Sequence, residues 1–536
     1  MPDPVLLGPT SRTRRLFLAG PVGVLLSLLL LLISPSTGQG TSRSHRYYPS
    51  TTPQFASQLE IEVVSLIFRN NNILASDTRH NIIFMNVSGI KQTVPQINGP
   101  GEAWQDLSSG QAVVVAGNTH TAPLPTSVPQ PALSVGIDPL SIAETGNLLY
   151  IADGSGRVDA LNLTHHTRDL ILIPPANLRM NAGNHISKLL KRSPTLGKLL
   201  GMATTLPIDP GYIAAIAGGG SLSPGSRPID ALKARISPIV ISADGDDLYL
   251  AGETGHIYYL NIGSVPRTVP IREGKSITRV SVRPGQILLI AGRGGDSDPH
   301  PDNDAIPAFS STINPTTMIA TKRRLFVGDQ SGVILEINLS DEPVALPKSS
   351  IGDRPDALEP GMVTRIWGGG THLVRSTPLP ALGVMLRPRS MAWDPEGLLF
   401  VGDIEETLEA GRILALNVKD KPILLPIMKN GTFRKVSLKP GEMIAIAGNS
   451  RRQPIARTTP TAAGDIGIEP VQLSYRNGLL VAGDLLGSVD IMNLTFRNRR
   501  VYPWDVHQSL LLPPGTVVSL MGNGTGTSEK PSDEVP

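Results

Sequence analysis

Apolar and polar residues alternate along this chain in short runs, and Gly, Asn, Asp or Pro separates each run from the next. That pattern predicts strands joined by tight turns. The clearest stretch covers residues 137–163. It reads as an apolar strand, a turn at Thr145-Gly146-Asn147, a β-rich run over 148–152, a turn over 153–156, and an alternating strand that ends in Asn162. The same pattern is written six times. The pair before the second turn recurs as Ser76-Asp77, Ala152-Asp153, Ala251-Gly252, Gly328-Asp329, Gly402-Asp403 and Gly483-Asp484. The strand after it ends in Asn86, Asn162, Asn261, Asn338, Asn417 and Asn493.

A fourth strand follows in every copy, opened and closed by glycine at 110–117, 211–218, 285–292, 361–368, 441–448 and 515–522. Five of the opening glycines follow proline, and Pro-Gly fits the centre of a type II turn, where the second position needs positive φ. Each unit is therefore four strands, a to d, placed in the third copy at 239–243, 248–251, 256–262 and 287–291. A single four-stranded meander cannot bury both of its faces. Six of them closed into a ring can, and closure also protects most exposed edges. The predicted fold is all-β, a six-bladed β-propeller of four-stranded antiparallel blades over residues 55–525.

The repeated core D-x-x-G-x-[IV], at 153–158, 329–334 and 484–489, resembles that of NHL-type propellers in their long-loop form. So does the segment Pro228-Ile229-Asp230-Ala231-Leu232 that leads to Ile236-Ser237-Pro238. The resemblance implies the fold and leaves function open, because propellers serve as binding modules and as enzymes.

Composition narrows the class. With 40% hydrophobic residues, 54 Gly and 48 Pro in 536 residues, the chain suits a large, turn-rich β protein. A net charge of +3 is not the profile of a nucleic-acid binder. The absence of cysteine excludes disulfides, thiolate metal sites and cysteine nucleophiles.

Ahead of the repeats, Arg12, Arg14 and Arg15 precede an apolar run over 16–33. Residues 1–38 are read as a signal peptide or a membrane anchor, with Ser36 and Gly38 suited to cleavage before Gln39. Thr13-Arg14-Arg15-Leu16-Phe17-Leu18 resembles a twin-arginine export signal, and an ordinary signal with paired basic residues is the plainer alternative. Either places the remainder outside the cytoplasm. Residues 39–54 read as a flexible linker and 526–536 as a disordered tail.

The repeated Asp and Asn are expected to be turn and strand fittings, so function is sought in what the repeat does not predict. On the face shared by d–a and b–c loops, His120, His300 and His372 fall in d–a loops, and His300 lies within an acidic run with Asp296, Asp298, Asp302 and Asp304. Carboxylates suit Ca²⁺ and imidazoles suit Zn²⁺, so this face is the candidate metal site, and a solvated acidic loop is the plainer account. The c–d loops on the other face are basic. Lys188, Lys191 and Arg192 lie in the second copy, Arg497, Arg499 and Arg500 in the sixth, while the fourth is acidic. These residues suit an anionic surface such as lipid headgroups or wall polymers.

No Gly-x-Ser-x-Gly elbow, His-Glu-x-x-His or Walker loop is present. The expectation is an exported binding or scaffolding propeller whose partner is a protein, polysaccharide or membrane surface of the cell envelope, with no role for nucleic acid. The alternative is a metal-dependent lyase or lactonase-like hydrolase on the histidine face.

Overall fold

A computed structural model describes residues 48–97, 103–117, 124–172, 204–293, 301–347, 355–405, 410–448, 455, 459–485, 487–502 and 509–522. Over that span the chain is a six-bladed β-propeller. The stretch read first from the sequence is one blade core, with strands Pro139–Thr145, Leu148–Asp153 and Arg157–Asn162 paired antiparallel. Strand d of that blade, Tyr212–Gly218, pairs with strand c.

Each sheet has five strands rather than four. The additional one is a two-residue strand contributed by the segment before strand a, and it pairs with the outer side of strand d. Examples are Gln54–Phe55, Gln130–Pro131 and Ile229–Asp230. A 3₁₀ turn follows it in most blades, as at Ala231–Lys233, where Asp230 accepts the Leu232 N–H. The segment that suggested the family is this outer strand and its turn.

Innermost strands a of successive blades pack side by side, and blade six (Pro470–Arg476) packs on blade one (Val63–Arg69), so the ring is closed. A hydroxyl crosses every seam to the neighbouring backbone. Ser65, Ser141 and Ser242 accept the N–H of Ile142, Ile241 and Ala320. Thr316 and Ser390 donate to the carbonyls of Pro388 and Pro470, and Ser474 accepts the N–H of Phe68. Between the seams the blades bury Trp367, Tyr249, Tyr259, Phe326 and Phe400 completely, and this apolar burial supplies the main driving force.

The glycines that bracket strand d have a geometric reason. All twelve have positive φ. A side chain on the closing ones would strike the carbonyl of the b–c turn, 2.2 Å from Gly156 O at Gly218 and 2.2 Å from His80 O at Gly117.

The strand-c asparagines are structural in the way their recurrence predicted. Asn162 Nδ2 donates to His166 O (2.9 Å) and Ile208 O (2.8 Å), and its Oδ1 accepts the Thr164 N–H. Asn86, Asn261, Asn338, Asn417 and Asn493 repeat the arrangement, and all six are fully buried. With both amide hydrogens engaged, the sequons at Asn86, Asn162, Asn338 and Asn493 offer no site for a glycan on the folded protein. The exposed Asn430 does.

The Asp that ends strand b is likewise a fitting. Asp153 accepts the Asp138 N–H (2.8 Å) with one oxygen and the Ser155 N–H (2.8 Å) with the other, and Asp329 does the same with Asn314 and Ser331.

Candidate functional site

The c–d connections are not simple loops. In every blade each carries a two-stranded hairpin, from two residues a side in blade four to seven in blades three and five. The hairpins lean over the rim onto the next blade. The Leu133 N–H donates to Ile97 O, and the Asn430 N–H at the tip of the fifth hairpin donates to Asp465 Oδ2 at 2.7 Å.

The hairpin of blade five pairs Ile423–Lys429 with Thr432–Leu438 around Asn430-Gly431, both at positive φ, as a type I′ turn requires. Its inner side buries Leu425, Ile427 and Leu438. Strand alternation puts Leu424, Phe433 and Lys435 on the other side. Leu424 is 55% exposed and Phe433 40%; in blade six Phe496 is 42% exposed and Leu511 51%. Lys435 Nζ lies 5.5 Å from the centre of the Phe496 ring, so the two blades share one surface. Arg497 and Arg500 are exposed and Arg499 half-buried beside it. None of the three has an ion-pair partner among the described residues.

Elsewhere on this face several described cations are paired. Arg279 of blade three pairs with Asp341 of blade four (3.2 Å), which also meets Arg323 at 3.5 Å. Arg267 pairs with Asp246 (3.2 Å). Asp247, pushed up by burial, takes the Tyr259 hydroxyl at 2.6 Å. Asp341 of the fourth copy therefore answers Arg279 of the third. Among the described residues, exposed cations without an ion pair occur at blades five and six and at Lys275 of blade three. Lys188, Lys191 and Arg192 lie outside the described residues.

On the opposite face, His120, Asp296, Asp298 and His300 also lie outside the described residues. Asp302 Oδ1 forms an ion pair with Arg365 (2.7 Å), and its carbonyl accepts the Arg365 N–H, so the segment is strapped along strand d of blade four. Asp304 is exposed. His372, one connection further on, is exposed with Nδ1 3.0 Å from Gly383 O. No group of three His, Asp or Glu placed to hold a metal occurs among the described residues, so Asp302, Asp304 and His372 do not form one between them. No helix there is long and apolar enough to cross a membrane, and residues 16–33 are not among those described.

The fold and this surface define a six-bladed propeller with a basic, partly aromatic edge. No family model matches the chain, and no curated protein sequence resembles it. Several solved structures are similar at low identity. A structural-genomics protein of unknown function from Bacteroides thetaiotaomicron is 11% identical, with 83% of this chain and 72% of that one covered and a TM-score of 0.39. The computationally designed Ika8 protein is 9% identical, covering 86% and 96%, at 0.33. A chain of a nidogen–laminin complex is 9% identical, covering 83% and 96%, at 0.30. At these scores none carries an argument about function.

Proposed function

We propose that this chain is an exported NHL-type propeller that acts as a binding module, docking on an anionic surface of the cell envelope through the hairpins of blades five and six. The observation that carries the reading is the Lys435–Phe496 contact within a surface of unpaired arginines and exposed apolar side chains. Cations are attracted to surface phosphates or carboxylates, and Phe433, Phe496, Leu424 and Leu511 gain by leaving water at the same boundary. A surface built for water alone has no use for that apolar share. The NHL assignment is supported by the D-x-x-G-x-[IV] core, and export by the arginine-led apolar run of the N-terminus.

Flotation of the full chain with vesicles tests the reading. Binding is expected to vesicles containing phosphatidylglycerol and to be weak to neutral phosphatidylcholine, with a soluble polyphosphate as a separate arm for wall-type polymers. At about 1 kcal/mol per cation, replacing Arg497, Arg499 and Arg500 together by Gln lowers affinity roughly a hundredfold. Equal binding to neutral and anionic vesicles, or no loss in the triple variant, overturns it.

A further inference from the structure

A second cationic site lies away from the hairpins of blades five and six. Where the connection entering blade three runs down the outer edge of strand d (Gln286–Ala291), Gly225 O accepts the Leu289 N–H at 3.1 Å. Between this connection and the b–c turn of the same blade opens a cavity of about 450 Å³, lined by Ser223, Ser226, Arg227, His256 and Arg293. We propose that this cavity is a binding site for a small ligand bearing a phosphate or sulfate group.

Among the described residues, the charged side chains that line it are cationic. Arg227 is exposed and has no ion pair or hydrogen bond from its guanidinium among the described residues. Arg293 has Glu273 only at 4.0 Å, with both side chains more than half exposed, and water screens such a pair heavily. Its guanidinium is held over the Phe309 ring, 5.3 Å from the centre. Arg235 stands next to the cavity and donates to Ser223 Oγ at 3.1 Å. Guanidinium groups match tetrahedral oxyanions with paired N–H donors, which ammonium groups cannot do.

The cleft is open to solvent and has room for a group larger than a bare phosphate, such as a phosphorylated or sulfated sugar. His256 adds a pH response. Thr254 Oγ1 engages its Nδ1, leaving Nε2 as the remaining ring donor, and burial holds the ring's pKa below its usual range. A bound sulfate, whose charge is constant near neutral pH, offsets that effect, so sulfate binding tightens as pH falls.

Calorimetric titration of the full chain with inorganic phosphate, sulfate and glucose 6-phosphate is the test. Saturable binding is expected, tightest for the sugar phosphate if phosphate is the preferred group, while sulfate ahead of phosphate assigns a sulfated ligand. Arg227→Gln with Arg293→Gln lowers affinity at least tenfold, and the Lys versions of both restore part of it. His256→Gln flattens the pH dependence. The triple Gln variant at Arg497, Arg499 and Arg500 binds these probes like the parent. No saturable binding of any probe, or an unchanged affinity in the folded double Gln variant, overturns the assignment.

Discussion

Ser474 Oγ in blade six accepts the backbone N–H of Phe68 in blade one at 2.9 Å, across 406 positions of sequence. That bond lies on the seam where the ring closes. Ser474→Ala leaves a part-buried N–H unpaired, which costs about 1–2 kcal/mol. A lower urea midpoint is expected for the variant. A midpoint equal to the parent's would show that packing alone holds the seam.

Asp159 is fully buried on strand c of blade two, and neither carboxylate oxygen has a hydrogen-bond partner. Burial, then the charge of Asp153, pushes its pKa well above the carboxylate range, with Arg157 opposing. The folded value exceeds the unfolded one, so the stability this group contributes is complete below about pH 4 and is lost as pH rises through the folded value. Blades four and five carry Leu335 and Leu414 at the same place. Asp159→Leu should therefore be more stable than the parent, with a margin that widens as pH rises above about 4. Denaturation at several pH values reads the margin, and a gap that stays constant with pH would exclude ionisation as its cause.

In blade five the buried Arg412 reaches Asp403 at the end of strand b, with Nε 3.1 Å from Oδ2, and its Nη1 donates to Val374 O at 2.9 Å. Removing one member of such a pair strands the other charge in the interior. Arg412→Met is expected to destabilise by about 3–5 kcal/mol. Replacing both, with Asp403→Asn added, should recover part of that loss, as a double-mutant cycle would measure.

Phe433→Ser and Phe496→Ser together should weaken vesicle binding about tenfold while leaving the urea midpoint within about 0.5 kcal/mol, since both rings are exposed in the free protein. Raising salt from about 0.05 to 0.5 M should weaken the parent further, because exposed charges are screened over that range. Binding that ignored salt would leave the arginines without a role.

Strands b, c and d were legible because glycines and asparagines punctuate them identically in six copies. Strand a of blade three, read as 239–243, is Pro238–Asp244, and strand b, read as 248–251, is Asp247–Gly252. The outer fifth strand was not legible, since two residues such as Ile229–Asp230 are too few to show a period. The hairpins escaped because their lengths differ from blade to blade, so no common punctuation repeats. Asn430-Gly431 was the available signal, a type I′ pair between two alternating runs. It would have turned basic loops into a surface and placed Phe433 and Lys435 on one side of it. The cavity of blade three draws Arg227, His256 and Arg293 from three segments that no local pattern joins.

Every blade, from its outer strand to strand d, is one unbroken piece of chain, and no strand is exchanged between the first and the last. Gly522 N donates to Ala56 O at 3.3 Å, so the two ends of the described ring already touch. A short linker there, with new termini cut into any other d–a connection, would leave all six sheets intact. The blades can thus be expected to tolerate rotation of their order around the circle, because each one closes its own sheet.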